Sequence, residues 1–263
     1  MRALAAAGAP VRALVRTPPR EGLPAEVEQV EGDLDHPDSL APALDGVAAV
    51  FLLPGFSDMS QVAERIAAAG VRRVVLLSGS SAGDGDPTNA VSEYMRDSEA
   101  AVRGSGVAWT ILRPSGFMSN TLRWLPQLRA GDTIVEPFAG VPIAVIDPYD
   151  IAAVAALALV DGGHEGRVYR LTGPEPLLPA DRARILGEVL GRPLRLVPQP
   201  DDEARTAMLA AMPAKYVDAF FRFYVDGTLD ESVVLPTVAE VCGRPPRTFA
   251  EWARTHADEF GQT

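Results

Sequence analysis

Residues 47–80 read VAAVFLLPGFSDMSQVAERIAAAGVRRVVLLSGS, a stretch in which two apolar runs flank one helical segment. VAAVFLL (47–53) and RVVLLS (73–78) have the length and the Val and Leu content of buried strands. Between them lies SDMSQVAERIAAAG, with Ser57 placed to cap a helix start and Gly70 to end it. Strands joined through a helix run parallel, because the connection crosses over the sheet instead of folding back as a hairpin. The same grammar extends outward. VAWTIL (107–112) and VYRLTG (168–173) predict strands downstream, and VEQV (27–30) and VRALV (11–15) predict strands upstream. Ala3 to Ala7, followed by Gly8, read as the end of a helix. The alternation implies an α/β fold with a doubly wound parallel sheet covered on both faces.

After Gly173 the pattern changes. PADRARILGEVLGRP predicts a helix ending at Gly191, LRLVP predicts a short strand, and the remainder is mostly helical. Two lobes are expected, residues 1–173 and a small C-terminal lobe over 174–263 serving substrate or partner. Thr248 and Glu251 have capping-box spacing, and Phe249, Trp252, Ala253, His256 and Phe260 share one helix face. Phe220, Phe221, Phe223 and Tyr224 form a second aromatic cluster, which either packs the lobe or partly roofs a substrate pocket.

Composition bounds the function. The 263 residues carry 47% apolar and 22% charged side chains and a net charge of -11. No basic surplus exists to replace counterions, which argues against a nucleic-acid partner. The longest apolar run, Ile151 to Val160, is too short to span a bilayer. A lone cysteine, Cys242, forms no internal disulfide, and the N-terminus lacks a secretory pattern, so a reducing cytoplasm is expected. His36, His164 and His256 stand far apart with no ligand cluster, so no metal site is expected.

Open parallel sheets bind ligands at the carboxyl ends of their strands. Strand 11–15 ends in Arg16, a cation suited to a 2′-phosphate and thus to NADP, or simply a solvated arginine; Arg20 is a weaker candidate. Strand 27–30 ends in Gly32, Asp33 and Leu34. Asp33 either accepts from an adenine amino group, with Leu34 packed on the ring, or caps the helix near Pro37. Pro54-Gly55 lets backbone approach a ribose. Ser78, Gly79, Ser80 and Ser81 either line a nicotinamide ribose or make a turn. Asp147 before Pro148 suits helix capping, and SGSSAG lacks the spacing of a hydrolase elbow.

The order VRALVR, GDL, SGVAWTILRPSGFMSN, IDPYDIAAVAALAL, GRVYRLTGPEPL and GRPPRTFAEWA resembles the NmrA-like branch of the atypical short-chain dehydrogenases over essentially the whole chain. The resemblance implies a Rossmann-like dinucleotide-binding lobe, usually for NADP, with a small C-terminal lobe. It implies cofactor contacts at Arg16, Asp33, Ser78 and Pro114 to Met118, including Ser115 and Phe117, and substrate contacts edged by Phe117, Met118 and Asn120. Relatives of this kind include quinone and azo-dye reductases, redox enzymes of secondary metabolism and non-enzymatic sensors of NADP.

Two departures matter. The family opens with a strand and a G-x-x-G-x-x-G turn that receives the pyrophosphate; this sequence has no counterpart, since Gly83-Asp84-Gly85 follows a different strand and carries a carboxylate. The absent strand is central in the 3-2-1-4-5-6 order, and its loss predicts a gap of about 10 Å between the strands at 11–15 and 47–53. Either Met1 is an internal codon read as a start, or the strand is deleted and dinucleotide affinity falls. The second departure is catalytic. Short-chain dehydrogenases use Y-x-x-x-K, yet here Tyr94 is followed by Ser98, and the family's frequent His or Lys position holds Met95. Alcohol dehydrogenation through that pair is not expected. Reduction of a quinone is less demanding, with the proton from water, Tyr94 or Ser80. The expectation is an NADPH-dependent reductase of a small flat acceptor. The other readings are a sensor with a protein partner, or a family member that no longer binds cofactor.

Overall fold

The computed structural model describes residues 1–6, 8–84 and 86–261, so Ala7 and Gly85, named above, lie outside the described residues. Eight strands follow one another as β1 (Arg12–Val15), β2 (Glu28–Glu31), β3 (Ala49–Leu52), β4 (Arg73–Leu77), β5 (Ala108–Pro114), β6 (Thr133–Glu136), β7 (Arg167–Leu171) and β8 (Arg195–Pro198). The strand order is β3-β4-β5-β7 in one sheet, β1-β2 in a second and β6-β8 in a third. β1 pairs with β2, β3 with β4, β4 with β5 and β6 with β8, each in parallel. This is the doubly wound α/β grammar read from residues 47–80, interrupted between β1 and β3. At that interruption β3 keeps Phe51 42% exposed, so one face of the strand lacks the cover expected of a two-sided parallel sheet.

The helix after β3 runs Met59–Ala68 and stops at Gly70, as the sequence predicts. Its cap is a correction: Asp58, not Ser57, accepts from the Gln61 amide at 2.8 Å. The helix Pro179–Leu190 ends at Gly191 in the left-handed conformation, and Thr248 and Glu251 form the expected capping box. The C-terminal helix is two pieces, Phe249–Thr255 and Ala257–Gly261, broken at His256, yet Phe249, Trp252, Ala253 and Phe260 all remain buried. One strand among the described residues is not predicted by the sequence, nor are the short helices Met118–Trp124 and Leu125–Ala130. TIVE at 133–136 forms β6, whose alternation sends Ile134 and Glu136 inward.

The chain forms two compact units. The first holds Met1–Ser78, Tyr94–Arg113 and Ala152–Tyr169; the second holds Gly79–Glu93, Pro114–Ile151 and Arg170–Thr263. In the first, Leu52, Val62, Ile66, Val74, Leu76 and Ile111 build the core from β3, β4, β5 and the Met59–Ala68 helix. In the second, Trp124, Ile134, Leu186, Phe249 and Trp252 do so. No helix of the described residues is long and apolar enough to cross a membrane.

A buried carboxylate ties the first unit together. Glu99, on the Ala90–Gly104 helix, receives Arg113 Nε at 2.8 Å and Nη2 at 2.7 Å, Ser78 Oγ at 2.7 Å and Arg103 Nη2 at 3.2 Å. Burial works to raise its carboxyl, but the bonds from Arg113 and Ser78 and the two arginine charges win and hold it below the ordinary value. A depressed carboxyl contributes stability above its unfolded value, near pH 4.3, and loses it as pH falls through the folded one. Glu99→Gln is therefore expected to cost about 3 kcal/mol at pH 7 and much less near pH 3, measured by urea unfolding across that range.

Candidate functional site

The second unit's interior is organised by backbone bonds among segments distant in sequence. Ser115 N donates to Leu171 O at 2.9 Å, Gly173 N to Ala144 O at 3.0 Å, Met118 N to Ile146 O at 2.9 Å and Ala144 N to Glu231 O at 2.8 Å. The LRPSGFMSN segment, residues 143–147, the LTG turn and Glu231 are thereby laced into one wall. The lacing is tight at Gly173, where an added Cβ would lie 1.9 Å from the Val145 carbonyl oxygen. Only glycine fits.

Beside this wall lies a cavity of about 520 Å³. Phe117, Phe138, Phe220 and Tyr224 supply aromatic surface, and Met208 and Met212 supply adaptable apolar surface. The aromatic cluster at 220–224 thus contributes to a pocket lining as well as to packing. Phe138 has φ of 54, a strained conformation for a bulky residue, and its ring sits 5.2 Å from Phe221 and 5.3 Å from Tyr224.

Tyr224 on the lining is backed by Glu231 and Ser80 behind it. Tyr224 Oη donates to Glu231 Oε2 at 3.0 Å, and Ser80 Oγ donates to Glu231 Oε1 at 2.6 Å. Burial pushes the Tyr224 phenol well up, with the Glu231 charge adding to it. Burial also raises the Glu231 carboxyl, against the bonds from Ser80 and Tyr224. Across the lining, Glu136 is bonded to Arg123 and receives Trp124 Nε1 at 2.8 Å, while Arg182 lines the same space. Neither Glu231 nor Glu136 stood out in the sequence, because a lone Glu carries no motif; the inward phase of β6 was the only available signal for Glu136.

The residues expected at the site separate as follows. Asn120 and Phe117 line the cavity, whereas Met118 is 1% exposed and packs in the core with Trp124 and Leu128. Ser115 spends its hydroxyl on Ala144 O at 2.5 Å, and Pro114 is buried at the end of β5. Gly79 is half-buried. In the first unit, Ser78 gives its hydroxyl to Glu99. Pro54 precedes Gly55, which has φ of 87 and whose amide donates to Ser98 Oγ at 3.1 Å. Tyr94 packs its ring against Gly55, 3.2 Å from where a Cβ would stand, and Ser98 Oγ donates to Tyr94 O. Ser98 thus serves a backbone turn where the dehydrogenase lysine would act. Arg16 is exposed and forms no ion pair among the described residues, yet it helps hold down the Asp33 carboxyl. The main cause of that shift is the Asp35 amide, which donates to Asp33 at 3.0 Å, followed by His36. Asp33 therefore makes a local turn and does not cap the short helix Pro37–Leu40. Leu34 packs on the first core.

DPYDIA and GRPPRTF meet in the second unit. Arg244 Nη1 reaches Asp150 at 2.7 Å, Arg247 N reaches the other Asp150 oxygen at 2.7 Å, and both guanidinium groups lie over Tyr149. Asp147 accepts from the Tyr149 amide at 2.8 Å, the expected capping role. Among the described residues no group of three His, Cys, Asp or Glu is arranged to hold a metal.

Residues 1–161 match a family model described as NAD(P)H-binding. The (4-alkanoyl-5-oxo-2,5-dihydrofuran-3-yl)methyl phosphate reductase of Streptomyces griseus is 42% identical over 98% of this chain and 93% of its own length. The NAD(P)H azoreductase of Xenophilus azovorans is 37% identical over 99% of this chain and 94% of its own. Among solved structures, the NADPH-dependent quinone oxidoreductase of Escherichia coli superposes with a TM-score of 0.75 at 24% identity, covering 94% of this chain and 90% of its own, a likeness of fold.

Gly173→Ala tests the wall. The added methyl must displace the Val145 carbonyl, so a loss of about 2–3 kcal/mol in thermal or urea unfolding is expected, whereas Gly140→Ala, with open space around its Cβ, should be near neutral.

Proposed function

Because the chain belongs to the NAD(P)H-binding family, we propose that it is an NADPH-dependent reductase that delivers hydride to a small flat acceptor such as a quinone. The observation that carries this reading is the aromatic cavity of the second unit, backed by the Tyr224–Glu231–Ser80 acid chain. Two relatives, named as reductases of a furanone methyl phosphate and of azo compounds, support the reaction class.

The residues at the ends of β1 and β2 fit the adenosine end of the cofactor: Arg16 is an exposed cation without an ion-pair partner among the described residues, next in charge to Asp33. Ser78 in the first unit, and Gly79, Pro114, Ser115 and Phe117 in the second, remain proposed cofactor contacts, each within its own unit. Their role is chiefly through backbone and ring surface, since the Ser78 and Ser115 hydroxyls are engaged. The chemistry a bound NADPH supplies is hydride.

The chain's own task is then to hold the acceptor flat, exclude water and deliver one proton. Tyr224, in place of Tyr94, is the proposed donor. With Glu231 protonated, the 3.0 Å contact reverses, the carboxyl donates to the phenol oxygen, and the phenolic hydrogen turns to the acceptor. The proton lost by Tyr224 is replaced from Glu231, and solvent reprotonates the carboxylate.

The deciding experiment is NADPH consumption with a panel of quinones; tight NADPH binding with no turnover on any acceptor would favour the sensor reading. Arg16→Ala should weaken NADPH about tenfold or more and leave NADH nearly unchanged in calorimetric titration. Since Glu231 must be protonated to act, the rate should fall as pH rises through its raised value, and Glu231→Gln should flatten that limb while lowering the maximum.

A further inference from the structure

Arg182 occupies a costly position. It stands in the first turn of the Pro179–Leu190 helix, where the helix dipole disfavours a cation, and it is only 4% exposed. Its Nε is buried without a hydrogen-bond partner, and its guanidinium lies over the Trp124 ring at 5.5 Å with no ion pair among the described residues. Glu136, the acid that acts on it electrostatically, is engaged by Arg123 at Oε1 and by Trp124 at Oε2. Burial lowers the Arg182 guanidinium to about 10, against the pull of Glu136, so it remains cationic at neutral pH. Of the cavity-lining residues, Arg123 and Arg182 are positive and Glu136 alone is acidic, which leaves a net charge of one positive unit on a largely apolar lining. Stacking on Trp124 offsets only part of the cost of a desolvated cation without an ion-pair partner, and a bound anion would offset the rest.

We propose that this cavity receives a small flat molecule bearing one anionic oxo group, a phosphate, sulfonate or carboxylate, which Arg182 binds directly and Arg123 assists from the rim. The fork of a guanidinium matches two oxygens of such a group. Phe117, Phe138 and Phe220 enclose the apolar body, and Asn120 and Gln127 offer further donors. In naming this ligand the acceptor, the inference rests on the reductase reading; the anion site itself does not.

Calorimetric titration of the full chain with 1-naphthyl phosphate, naphthalene-1-sulfonate and neutral 1-naphthol tests it. The two anions should bind at least about tenfold tighter than 1-naphthol. Arg182→Gln should remove that preference while leaving 1-naphthol binding within about twofold, and Arg123→Gln, at a half-exposed position, should reduce it severalfold. Equal binding of the anions and 1-naphthol, or an unchanged preference in Arg182→Gln, would overturn the site. Should Arg182→Gln lose its thermal transition, an unchanged preference in Arg123→Gln overturns it instead. Displacement of the naphthyl phosphate by saturating NADP⁺ would assign the arginines to the cofactor and also overturn it. Arg182-dependent anion binding without quinone turnover would sustain the anion site and remove the reductase reading.

Discussion

The second unit depends on the absence of one carbon atom. Gly173 lets the Val145 carbonyl approach to a distance at which any side chain would collide with backbone, and backbone does not yield cheaply. Because that crossing is close, Ser115, Gly116 and Met118 can bond to the strands and turns beside them, and Glu231 reaches the same wall through Ala144. The cavity is the space left on one side of this lacing. A fixed wall of this kind suits a site that must hold an acceptor in one orientation, since no side-chain rearrangement is needed before binding.

The parallel strands and the helix ends were legible because they rest on local signals. β4 and the Met59–Ala68 helix follow from apolar run length and a glycine stop, and Thr248 with Glu251 from a three-residue spacing. β6 escaped notice because four residues, TIVE, give too short an alternation to separate from loop, and its partner β8 lies some sixty positions away. The cap at Asp58 was misassigned by one residue, since Ser and Asp compete for the same role and only backbone geometry chooses.

The site was less legible than the fold for a related reason. Motifs that carried the family likeness are mostly structural here: DPYDIA and GRPPRTF form an arginine clamp over Tyr149, and Ser78 serves Glu99. The chemical groups of the cavity, Glu231, Glu136 and Arg182, come from separate segments and share no spacing. Strand phase and burial bring them together, and neither is visible in a list of residue types. Phe117 and Asn120, expected from the family likeness, line the cavity because their segment follows directly on the end of β5.

The interruption between β1 and β3 has a dynamic corollary. The β1–β2 pair has its own miniature core of Ala13, Val15 and Val27, joined to the rest through Leu14 and through Arg12, which donates to carbonyls of Pro42, Ala43 and Asp45. Four-residue strands with so small a shared core are expected to open at lower cost than β3, β4 and β5. Amide protons of β1 and β2 would then exchange with solvent well before those of β4. A nucleotide that bridged Arg16 and Asp33 would lend the β1–β2 pair rigidity it does not possess alone.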